Sequence, residues 1–236
     1  PTDASLKRLA PEKQGRTIRQ AMGVIHQGQQ AVANEPRAPR FTPAGQSTQV
    51  IVGADSTDDS TLLRNAESLY QGYGLKRVYY SAFSPIPDSP GSVPLAAPPL
   101  LREHRLYQAD FLLRGYGYKA GELLGHSGNL ALDIDPKLAW ALANREVFPL
   151  DVNRAEPALL ARIPGIGLRS VQRLVALRRE RRIRYDDLIQ LRCVLDKARP
   201  FIVTSDYRPA QAELRSGLLR ARLSEPPAPV QMGLWG

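Results

Sequence analysis

The residue types most able to do chemistry are grouped in Ile163-Pro-Gly-Ile-Gly-Leu-Arg-Ser-Val171, where Gly165 and Gly167 stand one residue apart between two stretches of helical periodicity. Inside a helix a glycine costs ~1 kcal/mol against alanine and a proline about 3 kcal/mol. A corner that carries both serves backbone shape or exposed N–H groups. Glycine lets the main chain turn where a side chain would hinder it and lets a phosphate come close. The first N–H groups of the following helix lack intrahelical partners, and the helix dipole favours an anion beside them. The expected chemistry is phosphate binding, which carries position rather than base sequence. The plain alternative is a connector between two packed helices.

Charge is concentrated at the same place. The chain of 236 residues has a formal charge of +9, and Asp151 to Pro200 holds 12 Lys/Arg against 6 Asp/Glu. That asymmetry is the electrostatic footprint of a polyanion-binding module. Arginine outnumbers lysine 26 to 6 throughout, so a merely solvated basic helix is the competing reading. Arg169, Arg173 and Arg179 fall on exposed arcs, and Arg181, Arg182 and Arg184 are expected to extend the basic surface.

The elements that must position this corner are legible on both sides. Pro157 suits a first helical turn, with Leu159, Leu160 and Ile163 as the apolar side. After the turn, Leu168, Val171, Leu174, Val175 and the stem of Arg178 line the second helix. Tyr185 to Leu191 starts a further helix of a second hairpin-like unit. Leu150-Asp-Val-Asn, the apolar spacing, Pro-Gly-Ile-Gly and the arginine after it resemble the helix-hairpin-helix motif of DNA-binding and repair proteins. That resemblance implies a DNA-binding set of Gly165, Ile166, Gly167, Arg169, Ser170 and Arg173: the glycines donate to phosphate, Ile166 anchors the turn, and an arginine adds ionic contact. The Val-Asp-x-x-Val context of a hairpin-bearing glycosylase is missing, and Asp186 and Asp187 read as cap residues.

Upstream, the pattern alternates between helix and strand. A helix is expected from about Arg16 to Ala33, a strand over Thr48 to Gly53, a capping-rich run, a helix through Leu62 to Tyr70 stopped by Gly72 and Gly74, and a strand over Arg77 to Phe83. Such a strand, helix, strand unit is expected to be parallel with a right-handed crossover. Six prolines between Ser84 and Pro99 mark a stiff loop. Leu100 to Arg114 resumes a helix, and Asp135-Pro136 opens another to about Arg145. Two strands alone do not make a covered parallel sheet, so the rest of the sheet is expected elsewhere, upstream of Pro1.

Pro1-Thr-Asp-Ala-Ser-Leu-Lys-Arg-Leu-Ala-Pro-Glu-Lys, Ser47-Thr-Gln-Val-Ile-Val-Gly-Ala-Asp, Tyr79-Tyr-Ser-Ala-Phe-Ser-Pro-Ile-Pro and Arg102-Glu-His-Arg-Leu-Tyr-Gln-Ala-Asp occur in order, and together they resemble the second half of the DNA modification/repair radical SAM proteins. The resemblance runs to about residue 204. It implies an α/β fold, the second half of a partial TIM-like barrel, followed by the all-α hairpin domain. It also implies a [4Fe-4S] cluster on a Cys-x-x-x-Cys-x-x-Cys loop and S-adenosylmethionine, bordered by Gly53, Ala54, Ser81 and Phe83 at strand ends. That cysteine loop belongs to the family's first half, and Cys193 is the only cysteine here. The chain is therefore expected to be a C-terminal part, inactive alone, since a cluster needs several thiolates. A noncatalytic DNA-binding or scaffold protein and an RNA-processing factor are the competing readings.

The expected divisions are residues 1–149, 150–204 and a proline-containing tail, 205–236. At its end Gln231, Met232, Leu234 and Trp235 resemble the short Gln-Leu-x-Leu-Phe peptide with which bacterial repair proteins bind the sliding clamp. No apolar run approaches the ~20 residues of a membrane span and no signal segment opens the chain, which reads as cytoplasmic. His26, His104 and His126 are too scattered for a metal site. Tyr116 and Tyr118 could stack on a base, with packing as the default.

Overall fold

Ser47–Val52 (β1), which ends in the β-branched run Val-Ile-Val and buries Val50 and Val52, and a β-branched and aromatic run over Arg77–Ala82 (β2) build a parallel pair, with Ser47 opposite Arg77 through Val52 opposite Ala82. In this computed structural model the described residues are 2–33, 35, 39, 41–85, 94–124 and 128–224. They fall into two compact units, Pro1–Leu130 and Ala131–Gly236.

In the first unit, α1 (Asp3–Leu9) and α2 (Gly15–Ala33) precede β1, and α3 (Asp59–Tyr73) connects it to β2. The Asp58 carboxylate caps α3 by accepting from the Thr61 N–H at 2.8 Å, and Gly74 ends the helix at φ +61°. α4 (Leu100–Tyr116) and α5 (Ala120–Leu123) follow β2. One sheet face, with Val50, Val52, Val78 and Tyr80, shares a buried core with Leu63 and Ala66 of α3 and Leu106 and Ala109 of α4. Ile51 and Tyr79 stay exposed on the other face.

The two outer edges of this sheet differ. Along β2 the N–H groups of Val78 and Tyr80 donate to the hydroxyls of Tyr70 and Tyr107, each at 3.0 Å, and that of Ala82 donates to the Glu103 carboxylate at 2.6 Å. Tyr70 in turn donates to Asp110, a fully buried carboxylate that Arg114 also holds at 2.8 Å. Burial and the Asp110 charge push the Tyr70 and Tyr80 phenols above their ordinary value. Along β1, the N–H groups of Ser47, Gln49 and Ile51 meet no acceptor among the described residues. Beside that bare edge lies a groove of about 320 Å³ lined by Leu6, Ile18, Met22, Val50, Leu62 and Leu69. α2 itself buries no residue.

The second unit contains α6 (Pro136–Ala143), β3 (Leu150–Asp151), α7 (Pro157–Leu160), α8 (Leu168–Glu180), α9 (Tyr185–Gln190), α10 (Leu195–Ala198), β4 (Ile202–Val203), α11 (Gln211–Arg215) and α12 (Leu219–Leu223). β3 and β4 form a short parallel pair, Leu150 opposite Ile202. Ile163, Ile166, Leu174, Ile183 and Phe201 form the fully buried centre. Phe148 packs edge-on to Trp140 at 6.2 Å and to Phe201 at 5.1 Å, which joins α6 to the hairpins. Arg145 donates to the carbonyls of Leu214 and Ser216 at 3.1 and 3.0 Å. The division therefore falls at Leu130/Ala131, not at Leu150, because residues on both sides of the hairpins complete one core. No helix of the described residues is long and apolar enough to cross a membrane.

Candidate nucleic-acid interface

The corner between α7 and α8 owes its shape to Gly165. Its φ is +78°, and a Cβ there would drive into the backbone oxygen of Val194. The Gly165 carbonyl accepts from the Val194 N–H at 2.9 Å, so the turn is stitched to the start of α10. Ile166 is 1% exposed and anchors the corner in the core. Gly167, the N-cap of α8, has φ −86° and ψ 163°, an extended conformation open to any residue. Backbone angles do not demand glycine at 167; a surface kept low is the remaining reason.

Beyond Gly167 begins a helix of 13 residues. The N–H groups of Gly165, Gly167, Leu168 and Arg169 have no acceptor among the described residues, and the first bond into the helix runs from Val171 N–H to Gly167 O at 2.9 Å. Unpartnered amides and the positive dipole end coincide here. Arg169 and Arg173 are exposed and make no ion pair with a described carboxylate.

Other expected members stand differently. Ser170 is buried, and its hydroxyl donates to the Leu191 carbonyl at 2.8 Å, so it ties α8 to the second hairpin instead of facing a ligand. Arg181 grips Asp187 through two hydrogen bonds of 2.6 and 2.7 Å. That guanidinium, with the Arg184 N–H, holds the Asp187 carboxyl down at about 2. Arg184 itself pairs with Asp206 at 3.1 Å. Both guanidiniums are thus paired within the protein, although each stays exposed on the surface to which it was expected to belong. Arg179, Arg182 and Arg192 remain exposed. Arg178 donates to the Ala155 carbonyl at 2.6 Å.

Sequence reasoning missed Lys137. It lies in the first turn of α6, and its Nζ donates to the Ile166 carbonyl at 2.6 Å. Burial, opposed by the Asp135 charge, pushes this lysine down to about 7. Nothing in Asp135-Pro-Lys137 separates it from a solvated helix residue, so no local signal could have found it. Burial also pushes up the half-buried Cys193 thiol, against the influence of the neighbouring Ser170 hydroxyl and the charge of Lys137.

In the first unit, strand pairing gathers the ends at Gly53, Ala54, Ser81 and Phe83. Gly53 turns at φ +80°, the Ala54 carbonyl accepts from Arg8 at 3.4 Å, Ser81 meets the Gln49 amide at 2.7 Å, and Phe83 N–H donates to Val52 O at 2.8 Å. A cleft of about 300 Å³ lined by Ser5, Lys13, Gln49, Asp55 and Thr57 includes Gly53. Tyr118 is buried rather than offered to a base, Tyr116 packs edge-on to Phe111 at 5.6 Å, and His104 is exposed. Among the described residues no group of three His, Cys, Asp or Glu is placed to hold a metal ion. With one cysteine, the chain does not supply the thiolates of a [4Fe-4S] cluster. His126, Gln231, Met232, Leu234 and Trp235 lie outside the described residues. No family model, curated protein or solved structure matches the chain.

Proposed function

We propose that this chain binds the sugar-phosphate backbone of duplex DNA through the α7–α8 corner, as the C-terminal part of a radical SAM protein that modifies or repairs DNA. The observation that carries the binding is the run of unpartnered amides at the start of α8, beside Arg169 and Arg173, which pair with no described carboxylate. The bare edge of β1 and the apolar groove beside it support a larger parallel sheet, which the half-barrel reading requires. In that reading Gly53, Ala54, Ser81 and Phe83 border S-adenosylmethionine, the cluster is held by residues outside this chain, and this chain alone performs no radical step.

Titrating unrelated short duplexes against the full chain at several salt concentrations tests the binding. Equal affinities, with a log-log salt slope of roughly one unit per neutralised phosphate, are expected. Salt-independent or absent binding discards the reading, and preference for structured RNA favours an RNA-processing role. A noncatalytic DNA-binding or scaffold protein is separated by the gene upstream of Pro1: an in-frame Cys-x-x-x-Cys-x-x-Cys supports the enzyme. Clamp binding by Gln231, Met232, Leu234 and Trp235 is proposed on sequence alone, and equal clamp retention by Leu234→Ala/Trp235→Ala discards it.

A further inference from the structure

Ile166 and Gly167 share one peptide group with two differently engaged ends. Its carbonyl accepts from the Nζ of the half-buried Lys137 at 2.6 Å, whereas its N–H, that of Gly167, has no acceptor among the described residues. A charged donor on a carbonyl polarises the whole amide and strengthens the N–H as a donor. We infer that Lys137 is a positioning residue of the phosphate site, holding the corner by the Ile166 carbonyl and taking up a proton when a phosphate docks on the Gly167 side. The inference rests on the DNA-binding reading and names a regulation of that same site.

The surroundings of Lys137 make the coupling specific. On its own element it faces Asp135, whose Oδ1 caps α6 through the Leu138 N–H at 2.9 Å and whose Oδ2 is held by Lys197 of α10 at 2.8 Å. From the second hairpin it faces Cys193. Asp135 is thus bonded by Lys197 and acts on Lys137 through its charge, while the Nζ of Lys137 is placed on the corner's carbonyl. Burial brings Lys137 to about 7, so near neutrality the amine and the ammonium are both populated. A phosphate arriving on the far side of the same peptide favours the ammonium. The unit Ala131–Gly236 contains no histidine, so no imidazole of that unit titrates in the same range.

The test is the affinity of the full chain for a short fluorescent duplex, at constant ionic strength, between about pH 6.5 and pH 8.5. If docking raises the lysine by about one unit, binding at the upper pH is roughly sixfold weaker. Lys137→Met should bind more weakly at the lower pH and show no such dependence. Lys137→Arg, charged throughout, should bind equally well at both ends. A fall in affinity as steep in Lys137→Met as in the parent, or a parent that binds tightly with no pH dependence, overturns the inference alone. Absence of duplex binding at every pH overturns the DNA-binding reading with it. Side-chain NMR of Lys137 in the unmodified chain gives an answer independent of the variants' folding: its midpoint should move up on adding duplex, and an unchanged midpoint sinks the idea.

Discussion

The Gly165 carbonyl accepts a hydrogen bond from the Val194 N–H at 2.9 Å, so the tip of the first hairpin is fastened to the corner of the second. Ser170 adds a second link, from α8 to the Leu191 carbonyl at 2.8 Å. The corner that presents the free amides is therefore braced from behind by residues about twenty to thirty positions later in the chain.

This bracing separates the two glycines experimentally. Gly165→Ala places a Cβ against the Val194 oxygen at a positive φ and should lower stability by about 2–4 kcal/mol in urea denaturation. Gly167→Val meets an extended backbone, so stability should change little while duplex affinity falls. If that variant folds and binds as tightly as the parent at moderate salt, the amides are not what holds the phosphate.

The arginines divide in the same way. Arg169→Ala and Arg173→Ala should each shallow the log-log salt slope of duplex binding by about 0.9 for every phosphate no longer neutralised. Arg181→Ala should leave the slope unchanged, because that guanidinium is already held by Asp187, and should instead destabilise the α8–α9 junction. A reduced slope for Arg181→Ala alone would reverse the assignment of free and spent charges.

Lys137 also makes stability depend on pH in a stated direction. Its folded value of about 7 lies below the ordinary 10.5, so between these values the unfolded chain binds more protons than the folded one. Stability should therefore rise as pH increases through that window. Below it, the folded state carries a partly desolvated charge that the unfolded chain keeps in water. Lys137→Met should remove this climb in denaturation midpoints measured across the window; an identical climb in the variant places its source elsewhere.

In the first unit, Tyr70→Phe deletes both the acceptor for the Val78 N–H and a donor to the buried Asp110. A loss of about 1–3 kcal/mol is expected. Hydrogen exchange should quicken at the Val78 amide on the sealed edge of β2, while the Ser47, Gln49 and Ile51 amides on the bare edge exchange quickly in both proteins.

Local chemistry made much of this legible before any coordinates. Pro157, the Pro-Gly-Ile-Gly corner, the apolar spacing to Leu174, the two parallel strands, the capping-rich run before α3 and the cap at Asp135 follow from preferences acting over a few residues, where backbone angles and side-chain period leave few options. Only the folded chain decided which groups remain available. Arg181 and Arg184 are spent on Asp187 and Asp206, Ser170 is turned inward, and Lys137 is carried beneath Ile166 by packing between residues distant in the chain. The reason is physical: a residue's type sets what it can donate, accept or bury, but burial and partners arise from neighbours that no short window of sequence contains.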